Sequence, residues 1–185
     1  VYVAQVSTIT FNADFVASNS ITLKVDGTEI TQAFTTDHLT TINALADQIE
    51  AFDSISTATV GGTGNRTITI TAQTTGVPFS LSSLAVNGGA SQATGTIATT
   101  TESVGPADTL AKIIDQETDD FYFVLYTGRN IDRQKELAKY IQTLSKQFWA
   151  QADSEDALDS GFTTDLASYL KDASLYRSAA FVATE

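Results

Sequence analysis

The sequence predicts an α+β protein made of two units. The first, over residues 1–105, is a mostly antiparallel β unit with one helix; the second, over 106–185, is a partial α/β layer with parallel strands. Three observations predict this. The N-terminal stretch is rich in Thr, Ser and Gly and alternates apolar with polar residues, as in Thr67-Ile68-Thr69-Ile70-Thr71. A period of two marks half-buried strand. The C-terminal stretch instead alternates apolar runs with charged amphipathic segments, as in Phe121-Tyr122-Phe123-Val124-Leu125-Tyr126 followed by Asp132 to Gln147. That is the order from which βαβ layers are built. The change falls at Gly105-Pro106, with no disordered linker between the two.

In the first unit, Val6 to Phe11 and Ile21 to Val25 alternate as strands. Asp26-Gly27 closes the second of these in a tight turn, because Gly accepts positive φ. Thr36 or Asp37 then offers a short side-chain oxygen to the free amides of a helix start. Leu39, Ile42, Leu45, Ala46, Ile49 and Phe52 follow along one face, so the helix ends near Phe52. Ile55 to Val60 and Thr67 to Ala72 flank Gly61-Gly62-Thr63-Gly64-Asn65 as a hairpin. Leu81 to Val86, the turn Asn87-Gly88-Gly89 and Thr96 to Thr101 bring the expected count to six strands.

In the second unit, Pro106 suits the first turn of a helix, where its missing N–H costs nothing, and Leu110, Ile113 and Ile114 give that helix its buried stripe. Phe121 to Tyr126 reads as a strand buried on both faces. Asp132 caps a helix whose apolar face runs Leu137, Ile141, Leu144 and Phe148. Phe148 to Ala152 is the next strand. Thr163 or Thr164 caps a third helix with Leu166, Ala167, Leu170 and Ala173 inward, and Arg177 to Ala183 forms a third strand. Right-handed crossovers make the three strands parallel.

Composition removes several function classes. There is no Cys, hence no disulfide, no thiolate nucleophile and no zinc–thiolate site. There is no Met either, so Val1 is not a translation start and the chain is expected to be a processed or excised piece. No apolar run reaches the roughly 20 residues of a membrane-spanning helix, and Val1-Tyr2-Val3-Ala4 lacks the features of a secretory signal. The net charge of −12 disfavours nucleic-acid backbones and anionic membranes.

Each candidate for chemistry has a plainer reading. The glycines around Gly62 are followed by Arg66 and a strand, whereas a phosphate loop needs Lys and Ser/Thr opening a helix. His38, the sole histidine, reads as a solvent-exposed residue at a helix start, with only Asp37 beside it. No Ser stands in a Gly-x-Ser-x-Gly elbow. Arg129, in the loop Thr127-Gly128-Arg129-Asn130, sits where α/β layers hold anions, but the loop is short. Asp153, Glu155 and Asp156 lack the turn glycine and terminal Glu of a calcium loop. Asp119 and Asp120 are strand neighbours and point to opposite faces. The charges of both signs on Asp132 to Lys146 read as a solvated helix face. The expected inventory is no catalytic set, no cofactor site and no metal site, and the chain is not expected to be an enzyme.

The second unit resembles the tail sheath proteins of contractile-tailed bacteriophages. The likeness rests on Ala111-Lys112-Ile113-Ile114-Asp115-Gln116-Glu117-Thr118-Asp119-Asp120-Phe121-Tyr122-Phe123-Val124-Leu125, running on into Thr127-Gly128-Arg129. A helix, an acidic turn with an aromatic, and an apolar strand ending in a small-residue/Arg turn follow in the order seen in that family. Arg133 to Gln147 with Phe148-Trp149-Ala150, and Asp165-Leu166-Ala167-Ser168-Tyr169-Leu170 with Tyr176-Arg177, continue it. The first unit resembles a module of phage virion proteins at Phe15-Val16-Ala17-Ser18-Asn19, Asp37-His38-Leu39-Thr40-Thr41 and Gly88-Gly89-Ala90-Ser91-Gln92-Ala93-Thr94.

The resemblance implies a structural virion protein. A sheath polymerises helically around the tail tube, then contracts to drive the tube through the host envelope. Its implied partners are neighbouring sheath subunits, the tail tube protein and the baseplate. Its implied location is the virion tail, and the host cytoplasm during assembly. Terminal arms that add strands to neighbouring subunits hold such a lattice together; this chain, as an internal fragment without them, is expected to be monomeric. The alternative is a glycan- or receptor-binding module of a phage fibre or adhesin, which needs exposed aromatics on the first unit. An enzyme on the α/β unit, which would show a nucleotide-dependent thermal shift, comes third.

Overall fold

The structure is a computed structural model and describes residues 2–88, 93–116, 119–152 and 163–182. The chain divides into two compact units, Val1–Val104 and Gly105–Glu185.

Unit one holds seven strands and one α-helix among the described residues. They are β1 (Val6–Phe11), β2 (Ser20–Val25), β3 (Thr28–Ala33), α1 (His38–Glu50), β4 (Ile55–Gly61), β5 (Thr67–Ala72), β6 (Leu81–Asn87) and β7 (Gly95–Thr101). A four-stranded sheet runs β4-β5-β1-β7 and a three-stranded sheet β3-β2-β6, every pair antiparallel. Alternation decides what is buried. Ile9 and Phe11 of β1, Ile68 and Ile70 of β5, and Ile21, Leu23 and Val25 of β2 point into one core, which α1 closes with Ile42, Leu45, Ala46 and Ile49. The β4–β5 hairpin closes through a 3-10 turn at Thr63–Asn65.

The expected six strands missed β3. Its sequence, Thr28-Glu29-Ile30-Thr31-Gln32-Ala33, is polar because it lies at a sheet edge, and apolar alternation therefore does not reveal it. The signal lay in the turn. Asp26 and Gly27 both take positive φ, 49° and 82°, which matches the twist of two strands joined by two residues. The second strand had to return on itself, pairing Val25 with Thr28 and Leu23 with Ile30. A second correction concerns Leu39, expected inward but exposed. The inward place in the first turn belongs to His38, four residues before Ile42, whose ring packs on Phe15 at 4.9 Å between centroids. Asp37 is the N-cap, its side chain accepting from the Thr40 amide at 2.7 Å. Gly88 turns with φ 86°; Gly89 lies outside the described residues.

Unit two runs α2 (Pro106–Gln116), β8 (Phe123–Tyr126), α3 (Ile131–Gln142), β9 (Gln147–Ala152), α4 (Leu166–Asp172) and β10 (Ser178–Val182). The sheet order is β10-β9-β8 and both pairs are parallel, as expected from the alternation of helix and strand. Leu110 of α2, Leu137, Ala138 and Ile141 of α3, and Leu166 and Leu170 of α4 all join Phe148 and Ala150 in a single core. All three helices therefore share one face of the sheet. Successive strands step the same way across it, and connections of one hand then return on the same side.

This topology corrects the reading of Phe121 to Tyr126. The strand is shorter, lies at the sheet edge, and leaves Phe123 60% and Leu125 64% exposed. Buried on both faces it is not. Ile113 is likewise exposed. The cap of α3 is Asn130, which accepts from the Arg133 amide at 3.0 Å, while Asp132 sits inside the first turn. That helix stops at Gln142, so Leu144 packs from the following turn and Phe148 from β9. The cap of α4 is Asp165 rather than Thr163 or Thr164. Its inward residues are Leu166 and Leu170, with Ala167 and Ala173 exposed. Among the described residues no helix is long and apolar enough to cross a membrane.

Candidate functional site

Reactive side chains gather first around His38, and there the geometry serves structure. The Phe15 amide donates to Nδ1 at 3.1 Å, and Nε2 lies 3.0 Å from the Asn65 carbonyl oxygen. The ring is thus the Nε2–H tautomer, with one nitrogen accepting and the other donating. It is not the exposed residue expected from its position: its side chain is 11% exposed and ties the loop before β2 to the turn after β4. Asp14 stands 3.9 Å from Nε2 and binds Arg66 Nε at 2.8 Å. The Arg66 hydrogen bond holds the Asp14 carboxyl below its ordinary range. With both ring nitrogens engaged, His38 has no lone pair left for a substrate proton or a metal. Asp37, also expected beside it, has its carboxyl lowered by the Thr40 amide that it caps.

In unit two the expected candidates are tied into the fold. Asp119 pairs through Oδ1 with Lys146 Nζ at 2.7 Å. That ammonium also donates to the carbonyls of Asp119 (2.9 Å) and Phe121 (2.6 Å), and lies 3.9 Å from the Phe121 ring centroid. Asp120 is exposed. The loop bearing Arg129 is strapped by buried Gln134, whose Nε2 donates to the carbonyls of Gly128 and Gln151, each at 2.8 Å. Asp153, Glu155 and Asp156 lie outside the described residues. Lys146 and Gln134 were not singled out from the sequence; each looks like an ordinary polar residue of an amphipathic segment, and only the approach of distant carbonyls gives it a role. Among the described residues no group of three His, Asp or Glu stands together as a ligand set.

Two surface features remain. A cleft of about 340 Å³ lies between α4 and β10, lined by Leu170, Leu175, Ala180 and Lys171 among others, with the Ser178 hydroxyl buried against it and unpartnered. It offers one cation and no acid–base pair. The larger feature is the sheet face opposite the helices. Phe123 and Leu125 of β8, Gln147, Trp149 and Gln151 of β9, and Ala179 and Phe181 of β10 share it by register. Trp149 is 47% and Phe181 38% exposed. Parallel sheets are almost always covered on both faces, so this one has the character of a contact surface. No family model matches the chain, and no curated protein matches it.

Proposed function

We propose that the chain is part of a contractile bacteriophage tail sheath, a structural virion protein that acts by contact rather than catalysis. The observation that carries the reading is the segment holding the resemblance. Helix α2, Asp119-Asp120, the apolar strand β8 and Thr127-Gly128-Arg129 follow in the family's order, and β8 turns Phe123 and Leu125 outward. A subunit that stacks on copies of itself and on a tube needs apolar surface of this kind. Neighbouring subunits, the tail tube protein and the baseplate are its partners in this reading, and the virion tail its location.

Negative-stain electron microscopy of the full-length protein tests it. Hollow helical tubes are the expected result. A discrete, non-tubular particle under conditions that permit assembly would overturn the reading and turn attention to glycan screening on unit one.

A further inference from the structure

His38 fastens two parts of unit one through a single lone pair. In its Nε2–H tautomer only Nδ1 accepts, and the Phe15 amide occupies that nitrogen at 3.1 Å. Nε2 donates to the Asn65 carbonyl at 3.0 Å. One ring therefore joins the loop after β1 to the β4–β5 turn. Phe15 is 3% exposed and stands edge-on to Phe11 at 4.7 Å between centroids, so the loop is pinned to the core at this residue.

A proton arriving from solvent competes for the same lone pair. Nε2 already carries its hydrogen, so uptake falls on Nδ1, and an imidazolium has two donors and no acceptor. The new Nδ1–H and the Phe15 N–H would then face each other across 3.1 Å. The ring is open to that proton, with 11% of its side chain exposed.

The neighbouring charges decide where a charged ring goes. On its own helix Asp37 is occupied in capping Thr40. From the loop, Asp14 Oδ1 stands 3.9 Å from Nε2. From the end of the β4–β5 turn, Arg66 binds the same Asp14 oxygen through Nε at 2.8 Å and reaches the Asn12 carbonyl through Nη1 at 3.4 Å. Hydrogen bonds hold both carboxyls below the ordinary 3.8, Asp14 through Arg66 and Asp37 through the Thr40 amide. Both stay anionic across the range of about pH 5 to 8 in which imidazole changes charge, so only the ring changes. The positive end of α1 repels a cation there, and Asp14 attracts it.

We infer that His38 is a proton-operated latch. Protonation at Nδ1 expels the Phe15 amide, turns the ring towards Asp14 and frees the stretch Phe15–Ser18. The release is local. Arg66 still holds Asn12 and Asp14 on one side, and Asn19 still donates to the Gly88 carbonyl on the other. The core beneath consists of Ile, Leu, Val, Phe and Ala, none of which titrates. The latch does not depend on the tail-sheath reading.

NMR on the intact 185-residue chain tests it, because the sole histidine gives one set of imidazole signals. At about pH 8 the ring nitrogens should show the Nε2–H tautomer. As the pH falls to about 5, the Phe15 amide should shift in step with the ring. Its protection from hydrogen exchange, corrected for the intrinsic pH dependence, should drop about tenfold, the worth of one hydrogen bond. The Phe148 amide of unit two, bonded to the Arg177 carbonyl, should not follow. His38→Asn offers an oxygen in place of Nδ1 and does not titrate, so its Phe15 amide should stay protected at both pH values. An Nδ1–H tautomer at about pH 8, a ring still neutral at about pH 5, or a Phe15 amide indifferent to the ring's titration would each overturn the latch. So would an equal release in His38→Asn, which would assign the response to another group. If that variant does not fold, the wild-type titration decides alone.

Discussion

Replacing Lys146 by Met isolates one buried charge whose three donors are all used. Nζ donates to the carbonyls of Asp119 and Phe121 and to the Asp119 carboxylate, at 2.9, 2.6 and 2.7 Å, from a residue 5% exposed. Met keeps the length of the stem and removes the bonds. Each charge-assisted bond to a carbonyl is worth about 1.5 kcal/mol net, so two contribute about 3 kcal/mol. The Asp119 carboxylate is 67% exposed and returns to water at little cost. The ammonium's contact with the Phe121 ring is largely replaced by a sulfur–aromatic contact. The values for the carbonyl bonds are already net of desolvation; what Met adds is a buried terminal methyl, which returns about 1 kcal/mol. The net expectation is a loss of about 2 kcal/mol, confined to the unit that contains β8 and β9. Urea unfolding followed by Trp149 emission at low micromolar concentration reads that unit selectively, because no tryptophan lies in the other. With a slope of about 1 kcal/mol per molar, the midpoint falls by about 2 M. A midpoint moving by less than about 0.3 M, or rising, would refute the claim that this ammonium organises the approach to β8.

His38→Ala leaves the Phe15 amide and the Asn65 carbonyl without their partner; a loss of about 2 kcal/mol and a Tm lower by roughly 10 °C are expected for unit one by circular dichroism. Gly88→Ala places a Cβ 2.0 Å from the Ser18 carbonyl oxygen at a φ of +86°, and about 3 kcal/mol or more of stability should disappear in a chemical melt. Asp165 accepts from the Ser168 hydroxyl and from the Ser168 and Ala167 amides, the hydroxyl first among the causes that hold its carboxyl below the ordinary 3.8. A carboxyl lowered by folding stabilises in full above its unfolded value and ceases to as pH falls through the folded one. Asp165→Asn should therefore keep the cap at neutral pH, lose little stability there, and flatten the acid limb below about pH 4 in a pH-resolved urea series.

Much of the scaffold is legible in local pattern. Period-two alternation marks β1, β2 and β5, because a strand buried on one face must show it in every second residue. Asp37 announces α1, and Asp26-Gly27 turns β2, because caps and tight turns are satisfied by residues adjacent in the chain. The alternation of helix and strand after Pro106 carries parallel pairing with it, since a helical crossover brings the chain back in the same direction. Edge strand β3 escaped because an edge exposed to water carries few apolar residues.

What the tertiary structure alone decided is which face of each element meets what. Phe121 to Tyr126 reads the same whether both faces are covered or one is left apolar and open; the strand order β10-β9-β8, stepping one way, puts every described helix of the unit on one side. His38 and Lys146 look like surface residues of amphipathic helices until Phe15, Asn65, Asp119 and Phe121 arrive from distant parts of the chain. Local sequence sets φ, ψ and periodicity; partners separated by tens of residues are chosen by packing, and the chemistry of each side chain follows from the partner it finds.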